Sequence, residues 1–166
     1  MKSFQVYLGI GSNLGDRVNN IESAFCKIKA LLDNLKTASL YETKPMYVEN
    51  QPWFLNTVFS GQTELNALDL LWALQRIEAD SGRDRAGVVE KGPRIIDIDI
   101  LLYEDMILTS PELQIPHPLM HERAFVLIPL LDLNPDLINP ISKIHYKDYL
   151  KSLDDQKVVK YTGKSG

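Results

Sequence analysis

Residues 92–103 read GPRIIDIDILLY, and two acidic side chains, Asp97 and Asp99, stand in a run otherwise built largely from isoleucine and leucine. Strand side chains alternate, so residues two apart share a face. Ile96, Ile98, Ile100 and Leu102 are predicted to form one uninterrupted apolar face, and Ile95, Asp97, Asp99 and Leu101 the other. The two carboxylates then root about 7 Å apart on the same side. Two unpaired anions so close in a poorly solvated cleft push at least one pKa upward, and a divalent cation removes the conflict. Hard oxygen donors of this kind suit magnesium, which is commonly held by one or two carboxylates together with substrate phosphates. A plain solvated sheet surface would also account for a DxD pair, so the neighbouring residues must decide.

Those neighbours are basic. Residues 81–94 carry Arg83, Arg85, Lys91 and Arg94 against Asp84 and Glu90, with glycines at 82, 87 and 92. Arginine presents a planar set of donors matched to phosphate oxygens and stays charged at neutral pH. A basic, glycine-containing loop leading into two carboxylates is what a metal-bound triphosphate requires. A second group, His117, His121 and Arg123, lies in IPHPLMHERAFVLIPL. It lacks HExxH spacing and a cysteine cluster, so a structural zinc site is not expected. His117 suits a hydrogen bond to phosphate, and Arg123 a phosphate contact from outside the acidic strand. Phe125 is either core or one wall of a slot for a planar substrate. In NQPWFLNTV, alternation sets Phe54, Asn56 and Val58 on one face, pairing an aromatic surface with a polar edge that both donates and accepts.

The elements that must position these groups follow from periodicity. A first strand is predicted over residues 4–10, ended by GIGSNLGDR. Asp16 or Asn13 caps a helix whose apolar positions Val18, Ile21, Phe25, Ile28, Leu31 and Leu32 recur at helical spacing. TASLYET reads as a second strand and residues 54–60 as a third. Thr63 is the predicted cap of a second helix, and residues 95–103 form the last strand. This β-α-β-β-α-β order matches an α/β (α+β) ferredoxin-like, split βαβ core with both helices on one sheet face. The tail is predicted to add a C-terminal helical extension of one or two short helices, broken by Pro129 and Pro135. Residues 1–160 are expected to form one domain with long active-site loops, and 161–166 a flexible tail.

The whole-chain properties narrow the class. At 166 residues the chain has room for a core, and 45% hydrophobic with 24% charged residues reads as a soluble globular domain. A formal charge of -4 and a pI near 5.4 argue against a general nucleic-acid surface. No apolar run is long enough for a membrane span. MKSFQVYLGIGSN alternates too strongly for a signal peptide. The single cysteine, Cys26, reads as a small buried or half-buried side chain. A cytoplasmic location without an obligate protein partner is expected. The competing classes are a nucleic-acid- or protein-binding ferredoxin-like domain and a different magnesium phosphotransferase.

The ordered phrases YLGIGSNLGDR, YETKP, FLNTV, GPRIIDIDILLY and IPHPLMHERAFVLIPL together resemble the 6-hydroxymethyl-7,8-dihydropterin pyrophosphokinase family of folate biosynthesis. The resemblance implies transfer of the terminal diphosphate of ATP to the pterin hydroxymethyl group, with release of AMP. It implies that Asp97 and Asp99 hold two Mg2+ ions and that Arg83 and Arg85 lie in a catalytic loop. It places Gln75, Glu78, Arg94, His117 and Arg123 on the ATP side, and Thr43, Pro45, Phe54, Asn56 and Phe125 on the pterin side, with the two phenylalanines as an aromatic clamp. The glycine-rich opening phrase resembles a pocket wall and lacks the GxxxxGK[ST] pattern of a Walker loop. Two departures stand out: Lys91 occupies a position where tryptophan is common in the family, and Phe54 one where tyrosine also occurs.

Overall fold

The computed structural model describes residues 2–44, 52–82 and 95–163. Its architecture is mixed α/β: an antiparallel sheet carries two long helices on one face and a shorter helical extension on the other. The chain runs β1 (Phe4–Ser12), α1 (Arg17–Ile28), β2 (Asp33–Thr37), β3 (Tyr41–Thr43), β4 (Phe54–Thr63), α2 (Ala67–Asp80) and β5 (Asp97–Tyr103). A small hairpin follows, β6 (Leu108–Thr109) with β7 (Gln114–Ile115). The extension then comprises α3 (Ala124–Leu133), α4 (Tyr146–Leu150) and β8 (Val158–Lys160). The main sheet is ordered β5-β1-β4-β3-β8, with β2 also paired to β4.

The predicted second strand, residues 37–43, holds only at its ends: it keeps Thr37, the last residue of a strand that begins earlier at Asp33, and residues 41–43. Residues 33–37 and 41–43 both pair with β4, along different stretches of its length. The first helix starts at the Asp16 cap, whose carboxylate accepts from the Asn19 N–H at 3.1 Å, and ends at Ile28, short of Leu31 and Leu32. The second is capped by Asn66, whose Oδ1 accepts from Asp69 N at 2.9 Å. Thr63 instead closes the end of β4 with a bond from Leu65 N. Cys26 is exposed, a correction to the expected half-buried setting: the inward stripe of α1 is Ile21, Ala24 and Ile28, and position 26 falls off it. Pro129 does not break its helix. It lies buried inside α3, where packing of an almost wholly apolar segment offsets the missing N–H.

Two cores sandwich the sheet. Val6, Leu8, Ile10, Leu55, Phe59, Ile98 and Ile100 meet α1 and α2 on one side, while Tyr7, Val58 and Leu101 meet α3 and α4 on the other. The expected apolar face of the last strand is interrupted. Leu8 pairs with Ile100 but Tyr7 pairs with Leu102, so Leu101 is an extra residue in β5. A bulge of this kind shifts the alternation by one. Leu102 therefore joins Leu101 in the core beneath α3, and Tyr103 takes the helix side that Leu102 was expected to fill. The bulge leaves the acidic stretch of the strand in register with β1, and Asp97 and Asp99 keep their common face.

Candidate active site

The site is laid out by strand register. Residues directly opposite in an antiparallel pair project to the same face. Asp97 lies opposite Gly11 and Asp99 opposite Gly9 on β1. On the other side of β1, Gly11 lies opposite Asn56, Asn56 opposite Tyr41, and Phe54 opposite Thr43. A single row thus crosses the sheet from the carboxylates on β5, over Gly11, to Asn56 and β3. Gly11 keeps that row open: a Cβ there would stand 3.0 Å from Asn56 Oδ1 and 3.7 Å from Phe54 Cδ1. The GIG of the first strand thus clears space on the face beneath α3 where the acidic and aromatic positions approach one another.

At the sheet's outer edge, β5, α2 and the β6–β7 hairpin line an open cleft of about 460 Å³. Gln75, Glu78, Asp97, Asp99 and His117 all line it, so five of the residues singled out in the sequence meet in one place. Glu78 is almost fully buried, and its Oε2 accepts from the Ile98 N–H at 2.9 Å. An edge strand exposes unpaired backbone donors; here a helix carboxylate reaches across to take one.

His117 is oriented by its own loop. Its backbone N–H donates to the Leu101 carbonyl at 3.0 Å, which hangs the loop on the bulged residue. Its Nδ1 accepts from the Leu119 N–H at 3.2 Å. Burial, followed by the Arg123 guanidinium, lowers the imidazole pKa to about 4, against a smaller opposite pull from Asp97. The ring is therefore neutral at pH 7 and, with Nδ1 occupied as an acceptor, carries its proton on Nε2. It offers the cavity one oriented N–H donor.

The pterin-side expectations gather at the other end of the row. Asn56 Nδ2 donates to Thr43 Oγ1 at 2.7 Å, with both residues buried, while Phe54 is half-buried beside them. Tyr41, which sequence reasoning did not single out, shares this face. Its hydroxyl bonds to Asp132 on α3, and burial together with that carboxylate pushes its pKa up to about 12. Phe125 packs against the second core as a half-buried residue, with the Arg123 guanidinium 5.7 Å from its ring centroid. Pro45, Arg83, Arg85, Lys91 and Arg94 lie outside the described residues.

Among the described residues no group of three or more His, Cys, Asp or Glu is placed to hold a metal ion. The donor set is two carboxylates on one partly exposed strand face beside a cavity. Such a set fits magnesium, which keeps several water or phosphate oxygens and needs few protein ligands. It does not fit zinc, which would need a closed set of nitrogen or sulfur donors.

Comparison with known proteins supplies the context. A profile of the 7,8-dihydro-6-hydroxymethylpterin-pyrophosphokinase (HPPK) family matches residues 7–135. A 2-amino-4-hydroxy-6-hydroxymethyldihydropteridine pyrophosphokinase of Aquifex aeolicus is 40% identical over 144 residues, covering 87% of this chain and 89% of its own length. The folic acid synthesis protein fol1 of Pneumocystis carinii is 44% identical over 154 residues, or 92% of this chain; the chain spans only 20% of that longer relative. Among solved structures, Plasmodium falciparum HPPK-DHPS A437G superposes with a TM-score of 0.74 at 18% identity, covering 91% of this chain and 45% of that one. At that identity the likeness speaks for the fold.

Proposed function

The chain belongs to the 7,8-dihydro-6-hydroxymethylpterin-pyrophosphokinase family, and from that premise we propose that it transfers the terminal diphosphate of ATP to the hydroxymethyl group of 6-hydroxymethyl-7,8-dihydropterin, releasing AMP. The observation that carries this reading is the row across the sheet: Asp97 and Asp99 lie between the edge cavity and the Asn56–Thr43 pair, with Gly11 clearing the step between them. A donor nucleotide at the edge and a flat acceptor over β4 would meet at the carboxylates. The layer of two βαβ units sharing one sheet belongs, on this reading, to the ferredoxin-like class.

Asp97 and Asp99 would hold two Mg2+ ions, which when bound neutralise phosphate oxygens and polarise the transferred phosphorus. Phosphoryl transfer asks the protein mainly for positioning and charge stabilisation. Gln75 and Glu78 form the α2 wall on the nucleotide side, His117 donates its Nε2 proton as a hydrogen bond to a phosphate oxygen, and Arg123 adds positive charge behind it. Thr43, Asn56 and Phe54 receive the pterin, with Phe125 and Pro45 as further pterin-side residues. Arg83, Arg85 and Arg94 are assigned to the transferring phosphates on the strength of residue type and sequence position. Residues 1–160 are taken as one catalytic domain in the cytoplasm, with no nucleic-acid partner.

The test uses ATP labelled in its terminal phosphates, incubated with the protein, magnesium and the reduced hydroxymethylpterin. Mass spectrometry is expected to show labelled pterin diphosphate and AMP in equal amounts. Formation of ADP with a single transferred phosphate overturns the reaction assignment.

A further inference from the structure

The β3 end of the sheet, opposite the edge cavity, contains a buried charge that the reaction does not use. Glu42 sits between Tyr41 and Thr43 on β3, and alternation turns it to the helix side, away from Asn56 and the pterin-side face. Its partner is Arg17, the first residue of α1. Arg17 Nη1 donates to Glu42 Oε2 at 2.8 Å and to the Trp53 carbonyl at 3.0 Å. Four residues earlier, Asn13 Nδ2 donates to the Pro52 carbonyl at 3.1 Å. The Arg17 and Glu42 side chains are only 15% and 5% exposed. Tyr161 stacks on Arg17: its ring centroid lies 5.7 Å from the guanidinium, and its N–H donates to the Leu40 carbonyl at 2.8 Å.

These contacts join both strand ends that flank residues 45–51. Glu42 is one residue from the end of the outgoing strand, and Pro52 and Trp53 immediately precede the incoming one. The β3–β4 ladder is only three pairs long, and β8 adds three more on the far side of β3. Such short ladders leave the spacing of Thr43 and Phe54 dependent on what braces their ends. A planar guanidinium shared between a carboxylate of one strand and a carbonyl of the next supplies that brace.

We propose that Arg17 is a positioning residue for the pterin pocket: through Glu42 and the Trp53 carbonyl it locks β3 to β4, and so holds Thr43, Asn56 and Phe54 in one binding geometry. The inference rests on the diphosphotransfer reading. Arg17 points to the helix side and acts on the ligand only through the two strands, so its removal weakens pterin binding and spares the nucleotide cavity at the opposite edge.

The experiment measures equilibrium binding of the reduced pterin and, separately, of a non-hydrolysable ATP analogue with magnesium. Arg17→Met is expected to raise the pterin dissociation constant about tenfold or more, the scale of a small misplacement in a preorganised site, with ATP-analogue affinity unchanged. Arg17→Lys, which keeps the positive charge beside Glu42, is expected to recover part of the affinity. Ile28→Val, in the helix-side core, provides a destabilised control that retains pterin binding. Unchanged pterin affinity in folded Arg17→Met overturns the proposal, as does an equal loss for both ligands. If Arg17→Met does not fold, Glu42→Gln, which removes the charge that holds the guanidinium while keeping the side chain's shape, is read by the same criteria. A parental protein that binds the pterin but yields no AMP overturns the reaction and leaves the clamp standing; one that binds no pterin overturns both.

Discussion

At the scale of single residues, the proposed chemistry rests on two carboxylates and one neutral imidazole. Asp97 and Asp99 share a face because they precede the bulge at Leu101, and both line the edge cavity. Replacing either with alanine is expected to slow single-turnover conversion by about 100-fold or more, the scale of losing a charge-stabilising group, and chelation of magnesium is expected to abolish conversion in the parent. Near-parental rates for both variants across a magnesium titration would remove the metal pair. His117 makes a prediction about stability. Its folded pKa of about 4 lies below the ordinary 6.5, so above pH 6.5 both states are neutral and the native state bears no penalty. As pH falls through that window the unfolded chain takes up a proton that the folded one refuses, and stability drops by up to about 3 kcal/mol near pH 4. Urea denaturation of the metal-free protein should show a smaller loss between pH 7 and pH 5 in His117→Asn, which keeps an acceptor for Leu119 N–H, than in the parent. Parallel pH profiles would show that His117 does not contribute.

At the scale of elements, β1 does more than fill the middle of the sheet. Its Gly11 separates the acidic strand from β4, the strand assigned above to the pterin, and the added carbon of Gly11→Ala would press on Asn56 Oδ1, whose own amide nitrogen is bonded to Thr43. Relief requires Asn56 to give way by a few tenths of an ångström, which strains that bond. The substitution is therefore expected to cost about 1–3 kcal/mol of stability, as overpacking does, and to weaken pterin binding while ATP binding survives. Calorimetric titration of each ligand checks this: equal affinities for the pterin in both proteins would mean that the open row across Gly11 is not the acceptor site. Gly9 differs in kind, because its added carbon would meet only the flexible end of Leu101 at 3.3 Å.

At the scale of the whole molecule, the sheet is held between two cores, and the extension that makes the second core also bounds the site. Tyr41 reaches Asp132 on α3, and Gln156 ties the start of α3 by accepting from Ala124 N–H and donating to the Glu122 carbonyl, both at 2.8 Å. At the centre of this second core, Tyr146 is fully buried and its hydroxyl has no partner among the described residues. Desolvation drives its pKa upward, so it stays neutral. An unmade buried hydrogen bond costs about 1–3 kcal/mol. Tyr146→Phe keeps the ring and removes the orphan oxygen, so it is expected to leave stability unchanged or raise it by about 1 kcal/mol, with activity retained. A clear fall in the denaturation midpoint would show that the hydroxyl is satisfied in solution.

The alternation of IIDIDI was enough to put both aspartates on one face, and the spacing of Gln75 and Glu78 was enough to put them on one helix wall, because strand and helix periods are local properties of the chain. The capping role of Asp16 was legible for the same reason. The bulge at Leu101 was not, since it is visible only against the register of β1, and it moved Leu102 from one core to the other. That a strand forms at residues 33–37 and resumes only at 41–43, where TASLYET read as one strand, was likewise decided by pairing with β4. Asn66 displaced Thr63 as the helix cap once β4 extended to residue 63. The pairing of Arg17 with Glu42, 25 residues apart, and the row joining Asp97 to Asn56 through Gly11 are long-range contacts. The local sequence determined which groups were available and which way each would face; the sheet determined which of them would meet, because strand order and register are set by burial across the entire fold.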